Sequence, residues 1–415
     1  MAYPLLIATE GWRSFTPTRI ITPLILDDTL PTSSVSHSHA SDKKERRQVH
    51  NDADVVVIGA GVVGSALAVS LGDQGRSVIL LEKSLKQPDR IVGELLQPGG
   101  VQALKKLGLG HCLEGIDAIP VLGYLVTYHA QPVEIPYPQD AGKGNGSRVE
   151  GRSFHHGRFV QALRMAAMQH KNVTVVEDTA TELIKNEWTG QILGAKTKAN
   201  SFYLGSLTIV CDGCAPKFRK DYIQRIPITT SKFYGVEMKD AVLPAPYHGH
   251  VILGDSSPIL LYQIGTQETR ALIDVQDGCP TARLSAGGIK NHFEKVVVPA
   301  LPECVRPAFI DAVKNSSIRS MQNSWLPPTV NRTPGMIIIG DALNMRHPLT
   351  GGGMTVGLND VVLLADLLGP DKVPSLSDTK AVKKQMRLFH WRRKDVTSVI
   401  NILAQTLYVL FTAAG

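Results

Sequence analysis

Two glycine-rich stretches hold the residues best suited to chemistry. In "ADVVVIGAGVVGSALAVSLGDQGRSVILLEK", residues 53–83, the pattern Gly59-x-Gly61-x-x-Gly64 follows a β-branched run and opens an apolar, helix-like segment. A helix N-terminus carries unpaired N–H groups and a partial positive charge, so it can hold a pyrophosphate. Gly59 permits the tight turn, Gly61 lets the anion approach, and Gly64 lets helix and strand pack closely. Glu82 ends the next apolar run, Val78 to Leu81, where its carboxylate can accept hydrogen bonds from a ribose diol and disfavours a 2′-phosphate. In "GDALNMRHPLTGGGMTVGLND", residues 340–360, Gly340-Asp341 follows the run Met336 to Ile339, and a helix is expected from about Thr355 onward. Asp341 can bind a sugar-alcohol hydroxyl, and the N–H groups of Gly351 to Met354 face an anionic or electron-rich ring. A dinucleotide held at the first turn extends across the molecule, and the second glycine-rich helix start suits its far end. A cofactor with an adenosine end, a ribityl chain and a reducible ring is FAD.

These residues need strands to deliver them. Val55 to Ile58, the glycine turn, a helix and Val78 to Leu81 give the strand, turn, helix, strand order that the dinucleotide fingerprint requires. "GYLVTYH" (123–129), "NVTVVED" (172–178) and "SLTIVCDGC" (206–214) read as further strands, and "GRSFHHGRFVQALRMAA" (151–167) turns helical after Gly157. Short strands and turns with few sharp motifs fill 226–325, as in a sheet-based lobe, and "GMIIIGDA" (335–342) returns to a strand that closes the nucleotide fold. The α/β chain therefore divides into a mobile extension (1–52), a Rossmann-like FAD-binding domain (53–225) with a substrate-site insertion at about 110–150, and an interleaved substrate domain (226–330). The closing part of the FAD domain (331–370) and a C-terminal helical segment (371–415) follow.

Composition narrows the class. With 415 residues, 43% hydrophobic and 20% charged, the chain can bury a large core and is not a disordered protein. The net charge of +7 comes without a zinc-finger or RNA-binding signature, and "SDKKERR" (41–47) reads as a solvated tether, so no nucleic-acid partner is expected. Five irregularly spaced cysteines argue against a disulfide scaffold. Cys211 and Cys214 have Cys-x-x-Cys spacing but no second pair, and His155 and His156 have no accompanying acid or Cys cluster, so no metal site is expected. There is no uninterrupted apolar stretch of ~18 residues for a spanning helix. Thr397, Asn401, Gln405, Tyr408 and Thr412 form a polar stripe on an otherwise apolar helix, which suits an interface or packing on its own protein.

The three markers Gly59-x-Gly61-x-x-Gly64, Asp212-Gly213 and Gly340-Asp341 resemble the fingerprints of FAD-dependent monooxygenases of the aromatic-hydroxylase type. The strings "GELLQPGG", "GRSFHHGRF", "DGCAPKFRK", "GDALNMRHPLTGGGMTVGLND" and "VINILAQTLYVLF" narrow the resemblance to the squalene monooxygenase (squalene epoxidase) family, over about residues 53–411. The resemblance implies epoxidation of squalene with O2 and electrons from an NADPH-haemoprotein reductase, on the cytosolic face of the endoplasmic reticulum membrane. It implies FAD contacts at Val62, Val63, Glu82, Lys83, Arg90, Arg164, Asp341 and Met354, a backbone contact at Ala180, and a site-shaping pair, Tyr124 and Gln97, beside the flavin. Members of that family usually continue beyond the equivalent of Gly415 with apolar helices that dock on the membrane surface, whereas this chain stops after "VTSVINILAQTLYVLFTAAG". Two other readings stand beside this one. One is a related flavin monooxygenase acting on another polyprenoid or an aromatic compound; the other is a truncated FAD-binding paralogue without catalysis.

Overall fold

The computed structural model describes residues 35–140, 142, 146–214 and 216–413. Its first sheet is built on Asp52–Ile58, whose Val55 to Ile58 are buried on both faces. This strand pairs in parallel with Val78–Glu82 on one side and Phe202–Val210 on the other. Val173–Glu177 and Met336–Ile338 extend the parallel set outward, and Ile192–Thr197 and Ala180–Lys185 add an antiparallel edge. Continuous apolar runs rather than alternation suit these strands because helices cover the sheet. The helices Val62–Asp73, His156–Gln169 and Gly352–Leu367 do so, and their Leu67, Leu71, Leu163, Leu358 and Leu364 join the strands in one core.

A second seven-stranded sheet runs in the order Arg319–Trp325, Ile228–Lys239, Glu268–Gln276, Ile259–Gln263, His248–Leu253, Gly123–Tyr128, Gln131–Pro136. It is antiparallel except where Gly123–Tyr128 meets His248–Leu253, so residues far apart in the chain share one face. Phe293, Phe309 and the helix Arg306–Asn315 cover one side of it. On the other side Phe233, Leu260, Tyr262 and Leu272 pack toward Ile91, Leu95 and Leu349. A small sheet of Leu95–Leu96, Gly151–Ser153 and Ile119–Val121 ties the two together.

Three expectations need correction. Of the extension expected over 1–52, residues 1–34 lie outside the described residues, while Val35–Val49 is helical and Asp52 already belongs to the first strand. The "SDKKERR" tether is part of that helix: Arg47 is only 3% exposed and donates to Thr174 Oγ1, Ser77 Oγ and the Lys171 carbonyl, three acceptors that satisfy a buried guanidinium. The second glycine-rich helix starts at Gly352 rather than near Thr355, because Gly351 takes the left-handed conformation (φ 61°) and caps it there. The polar stripe of the C-terminal helix Thr379–Ala413 faces its own protein, one of the two placements expected for it. Thr397 and Tyr408 are buried, Asn401 accepts from Arg346 and donates to Asn344, and Tyr408 stacks on His347 at 3.9 Å between ring centres. Val399 and Ile402, 67% and 66% exposed, stand outward with Leu403, Val409 and Leu410. Between Asp395 and Thr397 the helix bends by 49°, and among the described residues no single helix is long and apolar enough to cross a membrane.

Candidate active site

A cavity of about 480 Å³ opens between the two large sheets. The turn at Gly61, Val62 and Val63 lines one end, and Gly340, Asp341, Gly351, Gly353 and Met354 line the middle. Val251, Leu260, Leu272 and Tyr124 form an apolar wall on the second sheet, and Arg90 is at the rim. The two glycine motifs, 276 residues or more apart in the chain, thus share one space because Met336–Ile338 pairs with Phe202–Val210, next to Asp52–Ile58.

The three fingerprint glycines do different work. An added Cβ on Gly59 would lie 2.6 Å from the Cys211 carbonyl oxygen, at the end of the neighbouring strand, and one on Gly64 would lie 1.8 Å from that of Gly59, so Gly59 lets two strand ends approach and Gly64 lets the helix pack on the turn. Gly61 has nothing within 4 Å of that point, and its space belongs to the cavity. Behind the turn, Glu82 Oε2 accepts from the Ala60 N–H at 2.7 Å, and Arg164 Nε donates to the Ala60 carbonyl at 2.8 Å while its Nη2 is 3.6 Å from Glu82. Lys83 is exposed beside them. Asp212 Oδ2 accepts from the Lys217 N–H, its Oδ1 is buried, and burial pushes this carboxyl above its ordinary range. Its neighbours Cys211 and Gly213 line the cavity. Ala180, expected to offer a backbone contact, begins an edge strand opposite Thr197 and does not line the cavity.

At the other end Gln97 follows the small-sheet strand Leu95–Leu96 and stands at the start of the helix Pro98–Lys106. Its Nε2 donates to Tyr124 Oη and, at 2.8 Å, to the Thr350 carbonyl. Tyr137, which the sequence does not single out, donates its hydroxyl to Gln97 Oε1 at 2.5 Å. Opposite Tyr124 stands Gly249, where a Cβ would come within 2.9 Å of the phenol ring. Burial raises the pKa of both tyrosines, so both are neutral phenols.

Sequence reasoning also misses the partners of Glu94. This buried carboxylate receives Arg270 Nε and Nη2, both at 2.9 Å, and the Tyr262 hydroxyl at 3.2 Å. Burial still raises the Glu94 pKa, and Arg270 opposes that rise. His156 is buried with Nδ1 at 2.8 Å from the Gly93 carbonyl, and burial together with nearby Arg90 lowers its pKa to about 4, so a neutral imidazole lines the cavity. Cys211 is a buried strand-end thiol whose pKa burial raises, and Cys214 is exposed at the rim, 3.7 Å from Arg90 Nη2.

This arrangement has counterparts. PqsL of Pseudomonas aeruginosa, solved in complex with 2-aminobenzoylacetate, matches with a TM-score of 0.74 at 17% identity, over 88% of this chain and 97% of that one. The myxobacterial chondrochloren halogenase CndH, a variant of FAD-dependent halogenases, matches with a TM-score of 0.67 at 16% identity, over 87% of this chain and 82% of the other. The fold is that of the FAD-dependent monooxygenases and halogenases. A family model described as glucose inhibited division protein A matches residues 54–232, and the squalene epoxidase model matches residues 204–415. A squalene epoxidase of Aspergillus fumigatus is 60% identical over 372 residues, covering 89% of this chain and 77% of its own length. The chain belongs to the squalene epoxidase family.

Proposed function

We propose that this chain binds FAD and epoxidises squalene, taking one oxygen atom from O2 and its electrons from a separate NADPH-dependent haemoprotein reductase, in sterol or triterpenoid biosynthesis. The observation that carries this reading is one cavity joining both glycine motifs to an apolar sheet face, in a chain 60% identical to a squalene epoxidase. The residues fit the cofactor: the space at Gly61 is open, and it belongs to the same cavity that Asp341, Gly351 and Met354 line. Bound FAD supplies the reducing equivalents that activate O2; one oxygen becomes the epoxide and the other leaves as water.

The chain's own residues do the rest. Gly61, Val62 and Val63 at the helix start hold the pyrophosphate, while Glu82, fixed by Ala60 and Arg164, meets the ribose, with Lys83 and Arg90 outside it. Asp341 meets the ribityl chain, and Gly351 to Met354 face the ring. Val251, Leu260 and Leu272 keep water from the reacting double bond, which such oxygen chemistry requires. Tyr124, held by Gln97, orients the reacting groups through its hydroxyl.

Two substitutions test these roles. Asp341→Ala is expected to weaken FAD retention while leaving the fold intact, since it removes one or two charge-assisted hydrogen bonds of about 1.5–3 kcal/mol each. Equal FAD affinity in variant and parent takes Asp341 out of the site. Tyr124→Phe conserves volume and is expected to lower the epoxidation rate by on the order of tenfold or more, about 1.4 kcal/mol of barrier, with FAD content and Tm unchanged. A rate within twofold of the parent leaves Tyr124 a wall residue.

The outward Val399, Ile402, Leu403, Val409 and Leu410, with Trp391 exposed on the same long helix, support docking on a membrane surface, the cytosolic face of the endoplasmic reticulum. Purified protein should be yellow and consume O2 only when squalene, NADPH and the reductase are all present. Oxygen uptake that ignores squalene, or that runs on NADPH without reductase, overturns the reading.

A further inference from the structure

The orientation of the Gln97 amide follows from its neighbours. The Thr350 carbonyl can only accept, so the amide atom 2.8 Å from it is the nitrogen. The same nitrogen donates to Tyr124, which therefore acts as acceptor on that side. The amide oxygen is left facing Tyr137, whose hydroxyl donates to it. Tyr124 lines the cavity, whereas Tyr137 does not. The Gln97 amide and the Tyr137 hydroxyl both stand as donors beside the Tyr124 oxygen, so Tyr124 keeps its own proton for a group in the cavity.

We propose that Tyr137 is a positioning residue for the oxygen transfer: by pinning Gln97 Oε1 it fixes the amide nitrogen on Tyr124, which makes Tyr124 a committed hydrogen-bond donor toward the cavity. This rests on the reading that squalene is epoxidised beside Tyr124. Removing the Tyr137 hydroxyl leaves a buried amide oxygen without its donor, so the amide turns or recruits water and Tyr124 loses its fixed role. The rings of Tyr124 and Tyr137 also meet edge to face at 5.9 Å, a contact that phenylalanine preserves.

The test is a double-substitution cycle with Tyr137→Phe, Tyr124→Phe and both together, assayed with squalene and saturating reductase after FAD content and Tm have been measured. Tyr137→Phe is expected to lower kcat on the order of tenfold, to leave KM for squalene within twofold, and to cause no further loss in the Tyr124→Phe background. A kcat within twofold of the parent overturns the proposal. So does an equal loss in both backgrounds, or a raised KM at unchanged kcat; the first marks a structural contact and the second a change of cavity shape. Should Tyr137→Phe lose FAD, Gln97→Met cuts the same link, and the same absence of further loss with Tyr124→Phe is required. A parent that never epoxidises squalene instead sinks the function itself, so the two failures are distinct.

Discussion

Gly61→Val is expected to fold as the parent does and to be purified without flavin. The backbone at Gly61 has φ −83°, open to any residue, and among the described residues no atom outside its own chain neighbours lies within 4 Å of the added Cβ, so the branch point meets open space. On the proposed function, the space it fills is the space the pyrophosphate needs. Losing two charge-assisted hydrogen bonds from the helix start, at about 1.5 kcal/mol each, lowers FAD affinity on the order of a hundredfold. Fluorescence titration of apoprotein with FAD, alongside apoprotein melting, separates the two effects. Retained affinity removes the pyrophosphate from this turn, and a melting temperature several degrees lower contradicts the open geometry. Gly64→Ala is the contrasting case: its Cβ would stand 1.8 Å from a backbone oxygen that no rotamer change can move, so the fold itself should fail.

The second large effect is expected at Arg393. This guanidinium grips Asp360 with Nε to Oδ1 at 3.0 Å and Nη2 to Oδ2 at 2.6 Å, and both side chains are almost fully buried between the helices Gly352–Leu367 and Thr379–Ala413. Arg393→Ala strands a buried carboxylate and should cost about 3–5 kcal/mol, read by urea unfolding, with faster proteolysis within the C-terminal helix. Replacing both residues with leucine should recover most of that loss, since paired removal avoids a lone buried charge. A loss under about 1 kcal/mol for Arg393→Ala would mean that the helix is held by its apolar contacts alone.

What the sequence reveals here follows the range of the forces. The strand, glycine turn and helix around Gly61 are legible because the glycine spacing and the apolar run Val55 to Ile58 lie within one short segment. The second sheet is legible only as a class of structure, since its register is set by partners such as Tyr124 and Gly249 that no local pattern links. For the same reason the Glu94–Arg270 and Asp360–Arg393 pairs are hidden: each charge reads as a surface residue until the fold brings its partner. Tyr137 stands in a segment without motif, and its meaning comes from an amide forty residues away. The stripe from Thr397 to Thr412 is visible as periodicity, but periodicity does not say which side faces inward. That is decided by the buried polar groups of Arg346 and His347, which outcompete an apolar face for the protein surface.

The pairing of Met336–Ile338 with Phe202–Val210 has a consequence for how the protein is made. The nucleotide sheet begins with the first strands off the ribosome, yet its last parallel strand and the helix Gly352–Leu367 arrive only after the whole second sheet has been synthesised. Until then Asp341 and the glycines behind it are absent, and the nascent chain presents half a nucleotide site with an open β edge. A polypeptide interrupted before residue 340 therefore cannot assemble the cavity, however well its first sheet forms. On the proposed role of Asp341, cofactor capture becomes a late event in biogenesis, completed only once both halves of the fold have been translated.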